Sequence, residues 1–298
     1  MKSHEPSITD SLNLHIDRLK KQVPSVASLL EAFQDLLIQE TRFKDTLVRP
    51  VIDISGRDLA QDLRAGIPLG SRVEVKISEE ELNRAADVLF PALKNGFPSI
   101  IRQLDHITSN IEKSNQSIRS VIETVLSGKH SELEPHGQTI GIEPDVLIFV
   151  VARLIKPFAE RWGETAGPIV QDLEWLKGFC PLCGSWPNIS FWKGDGGKRW
   201  LHCSFCGHEW TFIRTACPFC ENSDQQRLES IYSEDRPFEA ADVCLECNRY
   251  LLRKDLREEV HDVFPEVTAL GMTYLDALVQ EKGFRPPSLD EHPPCQAN

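Results

Sequence analysis

The chain has 298 residues and a formal charge of −12, with 33 Lys and Arg against 45 Asp and Glu. The acidity is evenly spread: after residue 175 there are 13 basic and 19 acidic residues, before it 20 and 26, or −6 on each side. A hydrophobic fraction of 41% excludes a disordered chain, and the lack of a basic region argues against nucleic acid, whose phosphates require clustered Lys and Arg.

Residues 1–175 read as an all-helical domain. Val26, Leu29, Leu30, Phe33, Leu36 and Leu37 recur at three- and four-residue spacing, so a helix is expected just after Pro24. Ser78 and Glu81 form a capping-box pattern ahead of Leu82, Ala85, Ala86 and Leu89, which marks a second helix start. Segments 101–126 and 145–162 suggest two or three more helices, with Pro157 ending or kinking one of them. Loops are expected around Gly66, Pro68 and Gly70 and from Gly128 to Gly141. The longest apolar run, Val146 to Ile155, is too short to span a bilayer and MKSHEPSITD has no signal-peptide character, so a cytoplasmic protein without membrane insertion is expected.

At Gly178 the texture changes to short alternating segments punctuated by glycine, proline and cysteine. No cysteine precedes Cys180, eight lie between Cys180 and Cys247, and Cys295 stands alone in the tail. The eight form four pairs of one spacing: Cys180/Cys183, Cys203/Cys206, Cys217/Cys220 and Cys244/Cys247. A two-residue gap aims both sulfurs of a tight turn at one point, and two such turns brought together by a hairpin supply four thiolates for a tetrahedral metal. Strands are expected at 189–193, 198–201 and 209–214, and again at 227–232, 238–243 and 250–253. This is a duplicated ribbon. Gly184, Gly207 and Asn248 follow second cysteines, where left-handed backbone helps turn amides toward sulfur; Glu221 breaks that pattern.

Sequential pairing places Cys180, Cys183, Cys203 and Cys206 on one metal and Cys217, Cys220, Cys244 and Cys247 on another; a crossed arrangement of first with third pair is the alternative. Spacing alone favours folding staples over a further role, and four thiolates suit zinc or a single iron equally. His202 and His208 read as supporting or surface residues, and the six tryptophans, all between Trp162 and Trp210, as cover for the thiolates and packing onto the helices. One more helix is expected over 263–280, burying Val267, Leu270, Tyr274, Leu275 and Leu278, before a proline-rich tail from Arg285. The fold class is thus α+β multidomain, with boundaries at 1–175 (helical), 176–215 and 216–258 (tandem rubredoxin-like or zinc-ribbon-like units), and 259–298 (helix and tail).

The motifs CPLCGSWP from Cys180, LHCSFCGHEW from Leu201, CPFC from Cys217 and CLECNRYL from Cys244 resemble those of the formate dehydrogenase accessory protein FdhE family, as does the final helix with TYLDAL and Glu281-Lys282-Gly283-Phe284. The resemblance covers about 110 residues. It implies a non-catalytic cytoplasmic maturation factor for respiratory formate dehydrogenase, bound to its catalytic subunit, with the eight paired cysteines linked to iron, two ions in all, or to zinc. A homodimer is left open. The rival classes are a zinc-ribbon nucleic-acid binder, opposed by Asp195, Glu209, Glu234, Asp235, Glu239, Asp242 and Glu246, and a thiol oxidoreductase, which needs a cysteine pair at a helix N-terminus.

Overall fold

The computed structural model describes residues 6–72, 77–113, 122 and 142–287. The expected loop at 128–141, most of 114–126, and Cys295 lie outside the described residues.

The helical part starts with α1 (Ile8–Gln22), whose Ser7 and Asp10 close a capping box, and a 3-10 turn at Pro24–Val26 leads into α2 (Ala27–Thr46). A short α3 (Leu59–Arg64) follows, then α4 (Glu79–Gly96), capped reciprocally by Ser78 and Glu81, and α5 (Ile101–Lys113). The long α6 runs Pro144–Val170. It continues past Pro157, although proline removes one ladder hydrogen bond, because that stretch is buried on several sides: Val150, Val151, Leu154, Ile155 and Phe158 pack with Leu36, Leu89, Leu93 and Leu104. α6 also carries buried charge. Arg153 forms ion pairs with Glu40 of α2 and with Glu266, while Lys156 meets Glu160 at 3.3 Å and Glu266 at 3.4 Å. Arg153 and Lys156 hold the Glu266 carboxylate down to about 2 against its burial.

Six strands form one sheet: β1 (Pro187–Lys193), β2 (Lys198–Cys203), β3 (Glu209–Phe212), β4 (Leu228–Tyr232), β5 (Glu239–Cys244) and β6 (Arg249–Asp255), ordered β3-β2-β1-β6-β5-β4. Each half is an antiparallel three-stranded unit, and the halves join through the parallel pair β1·β6, with Ile189 opposite Leu252 and Trp192 opposite Asp255. The sequence repeat therefore becomes a translational repeat, the first strand of one unit beside the third strand of the other. Trp192 fastens this seam: the Arg253 guanidinium lies 3.6 Å from its ring centroid and that of Arg214 4.1 Å.

The single helix expected over 263–280 is two, α7 (Pro265–Gly271) and α8 (Thr273–Glu281), broken at Met272 (φ −102°, ψ 9°). The break serves two surfaces. Val267 packs with Leu12, Ile16 and Leu19 of α1, whereas Met272, Leu275 and Val279 pack on Ile189 and Phe191 of the sheet. Leu278, expected in the buried face, is 38% exposed as a result.

Candidate metal centre

The eight paired cysteines gather into two clusters, Cys180/Cys183/Cys203/Cys206 and Cys217/Cys220/Cys244/Cys247, with the four sulfurs of each all within 4.8 Å of one another. This is the sequential grouping, not the crossed one. Local hydrogen bonding repeats from turn to turn. The amide four residues beyond the first cysteine donates to its carbonyl in Gly184→Cys180, Glu221→Cys217 and Asn248→Cys244, at 3.0, 3.0 and 2.9 Å. The first cysteine's own amide donates five residues ahead in Cys180→Ser185, Cys203→His208 and Cys217→Asn222, at 2.9, 2.9 and 2.8 Å. All four residues after second cysteines are left-handed: Gly184 (φ 80°), Gly207 (φ 68°), Glu221 (φ 60°) and Asn248 (φ 54°). Glu221 thus adopts the geometry its side chain disfavours, and it meets Lys177 at 2.9 Å.

The donor set fits a tetrahedral metal. Metal–sulfur bonds of about 2.3 Å require sulfurs about 3.8 Å apart. Cys180–Cys206, Cys217–Cys247 and Cys220–Cys244 are at 3.7 Å and Cys183–Cys203 at 3.3 Å, all far beyond the ~2.05 Å of a disulfide. Backbone amides also point at sulfur, from Leu182 to Cys180, Phe205 and Cys206 to Cys203, and Phe219 to Cys217, each at 3.4 Å. Such donors favour thiolate. In the first cluster burial pushes Cys180 and Cys206 up, while the neighbouring thiols and Ser185 hold Cys183 well below the usual thiol range despite its burial. In the second, the hydrogen bond between Cys217 and Cys247 brings Cys247 down to about 5 and raises Cys217, and burial pushes Cys220 up to about 11. Metal entry displaces thiol protons, so binding at both clusters is coupled to proton release.

The surroundings of the two clusters differ. The first is enclosed by the helical part: Leu69 and Gly70 amides donate to the carbonyls of Pro181 and Leu182 at 2.9 and 2.6 Å, inside the first cysteine turn. On α6, a Cβ at Gly163 would lie 2.3 Å from the Cys206 carbonyl oxygen, so glycine permits the helix backbone to touch the second turn. Trp162, Trp175 and Trp210 are buried in the same cluster of side chains. His202 is buried with Nδ1 2.9 Å from Asn188 Oδ1, and burial brings its imidazole down to about 3; His208 stacks on Trp210 and is brought down to about 4 by burial. Both are supporting residues beside a complete four-sulfur set. A cleft of about 740 Å³ beside them is lined by Lys44, Glu160, His202, Cys206 and His208.

The second cluster is open on one side, with Cys220 exposed and Cys247 half-buried. Its turns are held by the linker and the second ribbon: Gly178 packs on the Pro218 carbonyl, and the Leu245 amide donates to Arg227 at 2.9 Å. Sequence reading missed the long-range partners Gly70, Lys156, Gly163 and Arg199, which carry no motif.

A helical part joined to a translational pair of ribbons, each with a four-cysteine cluster, defines a double rubredoxin-like protein. Residues 179–214 match the family description "FdhE, central domain". The chain is 25% identical over 276 residues to a Protein FdhE homolog of Aquifex aeolicus, covering 89% of this chain and 88% of that one. It is 31% identical over 182 residues to one from Actinobacillus pleuropneumoniae, covering 57% and 58%. The crystal structure of the FdhE protein from Pseudomonas aeruginosa has the same fold, with a TM-score of 0.63 and 19% identity over 97% of this chain and 98% of that one. The chain is thus similar over most of its length to FdhE proteins, shares their fold, and carries two four-cysteine clusters. Among the described residues no helix is long and apolar enough to cross a membrane.

Proposed function

We propose that this protein is a cytoplasmic, non-catalytic maturation factor for a respiratory formate dehydrogenase, binding the enzyme's catalytic subunit through the ribbon sheet, with one iron ion in each four-cysteine cluster. The observation that carries the reading is the pair of tetrahedral sulfur sets on one sheet, in a chain with FdhE relatives. When bound, the metal supplies a rigid cross-link and, as iron, a one-electron couple. Cys180, Cys183, Cys203 and Cys206 would hold the first ion and Cys217, Cys220, Cys244 and Cys247 the second. The chain's own residues orient the turns: backbone amides direct sulfur lone pairs inward, and Trp162, Trp175 and Trp210 exclude water from the first site. The engagement of all eight thiols also disfavours thiol exchange, since no pair stands at a helix N-terminus among the described residues.

The test uses the full chain purified without oxygen. Two equivalents of iron with ferric tetrathiolate absorption in the visible, together with capture of the formate dehydrogenase catalytic subunit, support the reading. Replacing Cys180 and Cys183 with Ser is expected to remove one equivalent and abolish capture. Two equivalents of zinc with no visible band overturn the iron assignment, and undiminished capture by the folded variant overturns the role of the cluster in docking.

A further inference from the structure

Each cluster has one buried cation whose N–H reaches a carbonyl of a cysteine turn. At the first, Lys156 Nζ donates to the Ser204 carbonyl at 3.4 Å, and Glu160 and Glu266, at 3.3 and 3.4 Å, balance its charge. At the second, Arg199 Nη1 donates to the carbonyl of Ala216, the residue before Cys217, at 3.1 Å. Arg199 is 3% exposed, and among the described residues its ion-pair partner is Asp242 at 3.7 Å. That carboxylate is already shared with Arg253, whose Nε lies 3.1 Å from each of its oxygens. Arg199 Nε and Nη2 have no hydrogen-bond partner among the described residues.

A buried guanidinium with half a counter-charge is unfavourable unless negative charge stands nearby. Burial disfavours the charged form of Arg199 and outweighs the support from Asp242 and the Cys217 sulfur, and Arg253 and Arg214 add to the excess of positive charge. Four thiolates around a divalent ion carry a net charge of −2, which matches the surplus. We propose that Arg199 is the charge partner of the second cluster, a positioning residue supplied by the first ribbon that stabilises the metal-bearing tetrathiolate of the second. It acts through the Ala216 carbonyl and its field at Cys217, not by ligation. Among the described residues the first cluster, whose Lys156 is already neutralised by Glu160 and Glu266, has no equivalent. Loading of the second site thereby depends on strand β2 of the other unit.

This rests on the reading that both clusters hold metal, and zinc-loaded full-length protein separates the two claims. Wild type, Arg199→Gln and Arg199→Lys are challenged with EDTA and iodoacetamide, and alkylated cysteines are mapped by mass spectrometry. Arg199→Gln is expected to speed labelling of Cys217, Cys220, Cys244 and Cys247 roughly tenfold, with the other four unchanged, and Arg199→Lys to stay close to wild type. Wild-type protection of the second cluster in Arg199→Gln overturns the proposal, as does equal acceleration at both clusters. Arg199→Lys as labile as Arg199→Gln also overturns it, since charge is then not what matters; should Arg199→Gln not fold, Arg199→Met serves as the neutral comparison under the same criteria. A wild-type second cluster that takes up no zinc overturns the underlying reading and this proposal together.

Discussion

The two cysteine clusters share ligand spacing, turn hydrogen bonds and left-handed residues, yet they are set in opposite surroundings. The first is wrapped by Gly70, Gly163 and three tryptophans from or beside the helical part; the second exposes Cys220 and leans on the linker and its own ribbon. Equal coordination chemistry can therefore serve unequal ends. Enclosure makes the first cluster a joint between the helical part and the sheet, whereas the accessible second cluster is the one a partner or solvent can reach.

The largest test of this difference is removal of one ligand from each side. Cys203→Ser is expected to lower global stability by roughly 4 kcal/mol and to melt helices and sheet together, because the joint is lost. Cys244→Ser should cost roughly 2 kcal/mol and leave the main helical transition in place. Circular dichroism melts read both, and equal losses would erase the distinction. Metal lability follows from the same contrast: under chelator, Cys220 should be alkylated first and Cys180 last, with the second equivalent of metal departing roughly tenfold faster, because local opening is easier at the exposed cluster. Simultaneous labelling would show that the clusters open as one unit.

Much of this contrast was invisible in the sequence, for an identifiable reason. The four pairs, the hairpins between them, the Ser78–Glu81 cap and the helix after Pro24 are local patterns, and all stand in the structure. Glu221 misled because the turn imposes its left-handed backbone regardless of side-chain preference. Burial carries α6 through Pro157 rather than ending it there, while the last helix, expected as one, breaks after Gly271 where it turns between two packing surfaces. The parallel seam β1·β6 and the docking of residues 69 and 70 on the first turn join segments more than fifty residues apart. Residue spacing along the chain does not encode such contacts.

Two glycines sharpen the comparison at smaller cost. Gly163→Ala would place a methyl group 2.3 Å from the Cys206 carbonyl oxygen, and Gly178→Ala one 1.9 Å from that of Pro218. Neither neighbour is a flexible side-chain end, so backbone must shift, at roughly 2–3 kcal/mol each. The expected difference lies in the site: Gly163→Ala should weaken metal retention at the first cluster only, and Gly178→Ala at the second only, as read by cysteine mapping. Loss at both clusters from either substitution would mean that the two are mechanically coupled.

The smallest effect isolates the helical clamp from the metal sites. His15 of α1 is buried, and its Nδ1 accepts the Phe264 amide at 3.1 Å just before α7, which demands an unprotonated nitrogen. Burial, aided by Arg18 and Lys254, lowers this imidazole from 6.5 to about 4. The unfolded chain thus binds more protons between these values, so the contribution of His15 is fully present above pH 6.5 and is lost as pH falls toward 4. At pH 4.5 the loss should be about 2 kcal/mol relative to neutral pH. His15→Gln can offer the same acceptor without titrating and is expected to flatten the stability profile between pH 6.5 and 4.5. Thiolate protonation also loosens metal in acid, so the comparison belongs in matched metal-free protein, where an unchanged slope in the glutamine variant would remove His15 as its cause.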